Sequence, residues 1–293
     1  MSPANHPFTA SALAAMITLA VPTSAAPTLE DARLLYRARE LDQAQAIFEA
    51  HTSSAAARRE AVYYLGKIAI LRGRYDPAVQ WLEQAVALAP ERPDYFVWLG
   101  NGYAWMASAA PACEKLGLGR KCLAAYRRAL ELDPDNVSAH FALMNFYRHV
   151  PAFLGGGLGA AYHEAAAVRR HDARRGQLAL AVLCAQEEKY APAFAALEEI
   201  LRQQPDDYAS NSAFGRIAVL SQSRLSEGEA RLRRCLEQCP GEDDEDHATV
   251  QKRLDQLVAL HSEPAGPCRT HEAKLKPAPA PAPSEVSLAR PGV

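Results

Sequence analysis

REAVYYLGKIAILRGRYDPAVQWLEQAVALAPER, running from Arg59 to Arg92, is the stretch whose reading decides the fold. Counted from Arg59 as position 1, Leu65 and Gly66 stand at 7 and 8, Gly73 at 15 and Tyr75 at 17; Ala78, Leu82, Ala85 and Pro90 follow at 20, 24, 27 and 32. The same template recurs along the chain, and self-similarity at a fixed period is the signature of a repeat architecture. From Arg174 it gives Leu180-Ala181, Tyr190, Ala193, Leu197, Ile200 and Pro205 without a gap. From Tyr208 it gives Phe214-Gly215, then one extra residue before Leu225, Gly228, Leu232, Cys235 and Pro240. From Pro93 it gives Leu99-Gly100 and Tyr103, then an excess of 10 residues before Cys122, Tyr126, Ala129 and Pro134. From Val137 it gives Leu143-Met144 and Tyr147, with an excess of 5 before Ala161, Ala165 and Val168. A degenerate first unit keeps Leu35, Leu41, Ala44 and Phe48.

These residues resemble the tetratricopeptide repeat, a 34-residue unit of two antiparallel helices. The resemblance implies small residues at positions 8, 20 and 27, where the helices cross, and Pro at 32 to end the second helix. The expected fold is all-α: a right-handed α-solenoid of about six such repeats, near 28–58, 59–92, 93–136, 137–173, 174–207 and 208–241. A capping helix over 244–261 closes the array, with Val250, Leu254, Leu257 and Leu260 on one stripe and Lys252, Arg253 and Asp255 opposite. The acidic run Glu242 to Asp246 falls where the first turn of that helix should lie, a place that favours negative charge.

The ends have a different character. Residues 1–25 carry a short apolar run, Ala10 to Val21, too short to span a bilayer and followed by small residues. They read as a signal peptide cleaved after Ala25, which places the mature chain in the periplasm without a transmembrane segment. Residues 262–293 form a Pro/Ala-rich tail, expected to be disordered because it cannot bury enough apolar surface.

Composition excludes several classes. Lys+Arg 32 against Asp+Glu 34 gives a net charge of -2, without the basic excess of a nucleic-acid binder. Gly155–Ala160 formally spells GxGxxA, but that motif needs a preceding strand within a βαβ unit. His163 and His171 are not spaced as HExxH, and there is neither a CxxC pair nor a GxSxG elbow. No cofactor, metal or enzymatic activity is expected. Cys113 and Cys122 bracket the third-repeat excess: either they close a loop as a disulfide, or Cys122 fills the small buried position 20. Cys184 and Cys235 read as buried, and Cys239 is a candidate partner for Cys268.

The resemblance also implies where a partner binds. In the family, positions 2, 5, 9 and 12 point into the concave groove lined by the first helix of each repeat. Position 9 holds Lys67, Asn101, Asn145 and Arg216. An Asn side chain carries a donor and an acceptor for an extended peptide backbone. Tyr63, Phe141 and Trp105 supply apolar and aromatic walls, and Arg148 at position 12 adds a cation. Phe141 and Ala142 stand where a full clamp for a C-terminal carboxylate would need cations. The expected function is a non-catalytic scaffold that binds a protein or extended peptide in the groove. The alternative is an accessory subunit of an envelope enzyme or secretion complex. Its contacts would be the convex face and the insertions Ala107–Gly119 and Pro151–Gly159.

Overall fold

A computed structural model describes residues 26–241 and 244–262. The expected signal peptide, nearly all of the expected tail and Cys268 lie outside them. The described residues form thirteen α-helices, one 3₁₀ turn and no strand. The helices pair as α1 (Leu29–Arg37) with α2 (Leu41–His51), α3 (Arg58–Leu71) with α4 (Tyr75–Leu88), and α5 (Pro93–Ala109) with α6 (Ala112–Leu132). Then come α7 (Val137–His149) with α8 (Leu158–His171), α9 (Ala173–Gln186) with α10 (Tyr190–Gln203), and α11 (Tyr208–Ser221) with α12 (Leu225–Leu236). A last helix, α13 (His247–Ser262), packs on the sixth pair.

The pairing follows from local chemistry. Asn136, Asp172 and Asp207 cap α7, α9 and α11, each side-chain oxygen accepting from a backbone N–H three residues on. The turn within four pairs places a residue in the left-handed region just after the first helix: Arg39 (φ 64°), Gly73 (φ 67°), Glu188 (φ 59°) and Gln222 (φ 48°), with Arg224 (φ 52°) a second in the last of them. Such a residue satisfies the last carbonyls of the helix while the chain reverses.

Position 8 is the crossing point. A Cβ on Gly66 would lie 2.5 Å from Leu82 Cγ, on Gly100 2.3 Å from Tyr126 Cε1, and on Gly215 2.4 Å from Leu232 Cγ. All three contacts are with position 24 of the same repeat, so the missing side chain lets a large one lie across the first helix. Leu82 and Leu232 are fully buried there; burying a leucine contributes roughly 1.5–3 kcal/mol. The core runs as four successive clusters, each shared by neighbouring pairs, as expected of a quasi-one-dimensional array.

Three expectations change. The third-repeat excess forms no loop: α5 and α6 are lengthened to 17 and 21 residues around the two-residue link Ala110-Pro111. Ala107–Gly119 is therefore almost wholly helical. Cys113 and Cys122 both lie on α6, nine residues apart, and are free. At the helical rise their Cα atoms stand about 13 Å apart, beyond the roughly 7 Å a disulfide tolerates. Cys122 is fully buried, and that burial pushes its thiol up to about 12. Finally, Arg253 lies on the buried side of α13 beside Val250, Leu254 and Leu257, not on its polar face.

Candidate functional site

Three first helices of successive pairs line a shallow, open pocket. Phe141, Asn145 and Arg148 come from α7, spaced by four and three residues and hence on one helix face. Leu178 and Val182 come from α9; Tyr208, Ser212 and Arg216 come from α11. In repeat numbering, Phe141, Leu178 and Ser212 are position 5, while Asn145, Val182 and Arg216 are position 9. The lining combines apolar side chains, Phe141, Leu178 and Val182, with two guanidinium groups, Arg148 and Arg216.

The polar side chains are held by a chain of hydrogen bonds. Asn145 Nδ2 donates to the Phe141 carbonyl at 3.2 Å, and its Oδ1 accepts from Arg148 Nε at 3.0 Å. Arg148 Nη1 donates to Gln186 Oε1 at 3.1 Å, and Gln186 Nε2 returns a bond to the Arg148 carbonyl at 2.7 Å. Thus Arg148 is braced against α9.

The floor near α11 holds a buried carboxylate. Arg253 grips Glu245 bidentately, at 2.7 Å to Oε2 and 3.1 Å to Oε1. The Ser212 hydroxyl donates to the same carboxylate and accepts from Arg253 Nη1 at 2.9 Å. Tyr208 Oη donates to the Glu245 carbonyl at 3.0 Å. Burial alone would push this carboxyl up, but Arg253, the nearby Arg216 and the Ser212 hydroxyl outweigh it. They hold Glu245 below the usual carboxylate range.

Of the eight residues expected from sequence, the structure brings Phe141, Asn145, Arg148 and Arg216 to this pocket. The other four belong to the core of the second and third pairs. Lys67 is 1% exposed, its Nζ lying over four rings: Trp98 at 4.4 Å, Tyr36 at 4.9 Å, Tyr64 at 5.1 Å and Tyr63 at 5.4 Å. Tyr63 itself stacks on Tyr95 at 4.4 Å. Asn101 is buried and accepts from Tyr126 Oη at 2.8 Å. Trp105 is buried and stacked on Tyr75 at 5.9 Å. The cause is side-chain volume, because these pairs carry aromatic residues large enough to cover position 9 of the neighbouring helix.

Sequence reasoning misses Leu178, Val182, Tyr208, Ser212, Glu245 and Arg253. Leu178, Val182 and Ser212 stand at the same repeat positions as residues it does find, and that register is a usable signal. Nothing in sequence could bring Glu245 back onto α11. The glycines 155–157 also lie where no strand precedes them: α7 and the 3₁₀ turn Ala152–Leu154 come before, and α8 follows.

The tetratricopeptide repeat family model matches residues 29–93. No curated protein matches the sequence significantly. Among solved structures, yeast Tom70 is similar with a TM-score of 0.56 at 14% identity, over 76% of this chain and 44% of that one. A monomeric mutant of IFIT1 gives 0.50 at 14%, over 71% and 53%. A thermophilic tetratricopeptide repeat protein of Thermus thermophilus gives 0.46 at 20%, over 79% and 97%. The chain thus spans about half the length of the first two, and at these identities the likeness concerns the fold alone. Residues 29–93, the first two helix pairs, match the tetratricopeptide repeat, and with six antiparallel helix pairs in succession the described residues form an all-α helical-repeat solenoid.

Proposed function

We propose that this protein is a non-catalytic, periplasmic scaffold that binds an extended segment of a partner protein in the groove of its fourth to sixth repeats. Repeats of this family generally mediate protein–protein contacts. The observation that carries the groove reading is the pocket itself. Phe141, Leu178 and Val182 offer apolar contact, and Arg148 and Arg216 on α7 and α11 offer charged donors. A few convergent polar groups on an apolar wall fix the orientation of a bound chain. Neither Lys67 nor Asn101 belongs in this reading, since both are enclosed in the core.

The test is a crosslinking pull-down from cell envelopes, with wild type beside an Arg148→Ala/Arg216→Ala variant. A partner captured by wild type and lost with the variant, at unchanged thermal stability, supports the groove. A partner held equally by both overturns it.

One observation favours a second reading, in which the Pro151–Gly159 insertion makes the contact. Phe153 is 85% exposed on a loop held in place by Gly157, at φ 100°, whose N–H donates to the Tyr147 carbonyl at 2.8 Å. A Phe153→Ser variant that loses the partner, while the groove variant keeps it, would select this reading.

A further inference from the structure

The acidic run at the start of the cap is divided in the structure. Asp246 caps α13, its Oδ1 accepting from the Thr249 N–H at 2.8 Å. Glu245 instead turns inward to Arg253, Ser212 and Tyr208, and together with Asp244 forms one wall of the groove pocket. Gly241 and Asp244 are bonded to each other: Gly241 N donates to Asp244 Oδ2 at 2.7 Å, and Asp244 N to the Gly241 carbonyl at 3.2 Å.

The same two residues are held from the opposite end of the array. Arg39, in the turn between α1 and α2, donates through Nη2 to the Gly241 and Asp244 carbonyls, both at 2.9 Å. These partners are 202 and 205 residues away in sequence. An acidic stretch therefore lies against the groove, its main-chain carbonyls bound by Arg39 and Tyr208 and its carboxylate by Arg253 and Ser212. Backbone carbonyls and an acidic side chain satisfied by side chains of separate repeats are what a bound peptide would present.

We propose that Gly241 together with Asp244 and Glu245 acts as an internal ligand that occupies the cationic end of the groove, and that the partner segment displacing it is an acidic extended peptide. This rests on the groove reading above. The charges are complementary, since Arg216 faces Glu245 and Arg148 and Arg216 border the same pocket. A tethered segment acts at a high effective concentration, so an external peptide binds with an affinity reduced by the fraction of closed molecules. Arg39 ties the first repeat to the last and so sets that fraction.

The probe is a fluorescently labelled, end-blocked peptide with the sequence of residues 240–247, PGEDDEDH, beside a control in which its acidic residues are amides. Binding is read by anisotropy at low salt on the full chain. Arg39→Gly removes the guanidinium at a backbone conformation that glycine prefers, so it opens the clasp without strain. We expect it to bind the acidic peptide at least about ten-fold more tightly than wild type, as the loss of charge-assisted hydrogen bonds predicts. The amide control should not bind, and adding Arg216→Ala to Arg39→Gly should abolish the gain. Asp244→Asn/Glu245→Gln, which weakens the strap itself, should also raise affinity, and hydrogen exchange over residues 240–247 should quicken in Arg39→Gly.

Equal affinity of wild type and Arg39→Gly, both fully helical, overturns the proposal, as does equal binding of the amide control. The groove reading fails separately, by partner capture that survives Arg148→Ala/Arg216→Ala.

Discussion

Replacing glycine by alanine should destabilise this protein at Gly100 and stabilise it at Gly117, although both lie within α-helices. At Gly100 a new Cβ would stand 2.3 Å from Cε1 and 2.5 Å from Cδ1 of Tyr126. The ring cannot swing aside freely, because Tyr126 is buried and its hydroxyl donates to Asn101 Oδ1 at 2.8 Å. Overpacking of this kind costs about 1–3 kcal/mol, and losing the hydrogen bond adds about 1 kcal/mol. Alanine returns about 1 kcal/mol through helix propensity. The net expectation for Gly100→Ala is a loss of about 1–3 kcal/mol. At Gly117 no atom lies within 4 Å of the added Cβ, so only the propensity remains, a gain of up to about 1 kcal/mol. Urea unfolding followed by tryptophan fluorescence reads this region directly, because Trp81, Trp98 and Trp105 all lie in the second and third repeats. Parallel circular dichroism shows whether the rest of the array unfolds with it. If Gly100→Ala unfolds at the same urea concentration as Gly117→Ala, the close approach of position 8 to position 24 is not what shapes the repeat.

Lys67→Ala should cost about 2–5 kcal/mol, because it opens a cavity among Tyr36, Tyr64 and Trp98. Lys67→Met should recover much of that, and the contrast in urea midpoints separates packing from charge. At His140, Nδ1 lies 2.6 Å from a Glu164 carboxylate oxygen and Nε2 2.9 Å from the Pro134 carbonyl, so the doubly protonated ring is the form that can donate to both. The Glu164 hydrogen bond raises its pKa against the opposing effect of burial, with Pro134 adding to the rise. That stabilisation is complete below about pH 6.5 and is lost as pH rises through the raised value. The urea-midpoint difference between wild type and His140→Gln should therefore shrink from about pH 5.5 to about pH 8.5; a constant difference would show that the ring is not charged in the folded state. A thiol reagent should modify Cys113 and Cys239 in the native protein and reach Cys122 and Cys235 only after unfolding. Burial encloses the latter two and pushes both thiols up to about 12. Peptide mass mapping checks this, and rapid native labelling of Cys122 would contradict the helix packing around it.

The helical array was legible in the sequence because its determinants are local and repeated. Glycine at position 8, paired with a large residue at 24, marks the crossing of the second, third and sixth pairs, and Asn136, Asp172 and Asp207 mark helix starts. Periodicity survives even where the sequences diverge, since each helix pair must bury the same stripe. The insertions were legible as extra residues but not as structure. The excess residues between Tyr103 and Cys122 can make a loop or lengthen two helices, and only the packing of Leu118 and Leu123 on the core decides for helix.

The groove was half legible. Register placed Phe141, Asn145, Arg148 and Arg216 on the inner face of their helices, and they do line the pocket. The same register placed Tyr63, Lys67 and Asn101 there, with Trp105 as a wall beside them, but whether position 9 meets solvent depends on the volume of side chains from the next helix. Tyr36, Tyr64 and Trp98 enclose Lys67, and no reading of one repeat reveals its neighbour's bulk. The acidic run was visible as charge, yet its division between Asp246, which caps α13, and Glu245, which meets Arg253 and Ser212, depends on how the chain turns after α12. The bond from Arg39 to Gly241 and Asp244 spans 202 and 205 residues. Sequence determines what recurs within one repeat; only the accumulated curvature of all six pairs decides that the first turn of the array meets the last.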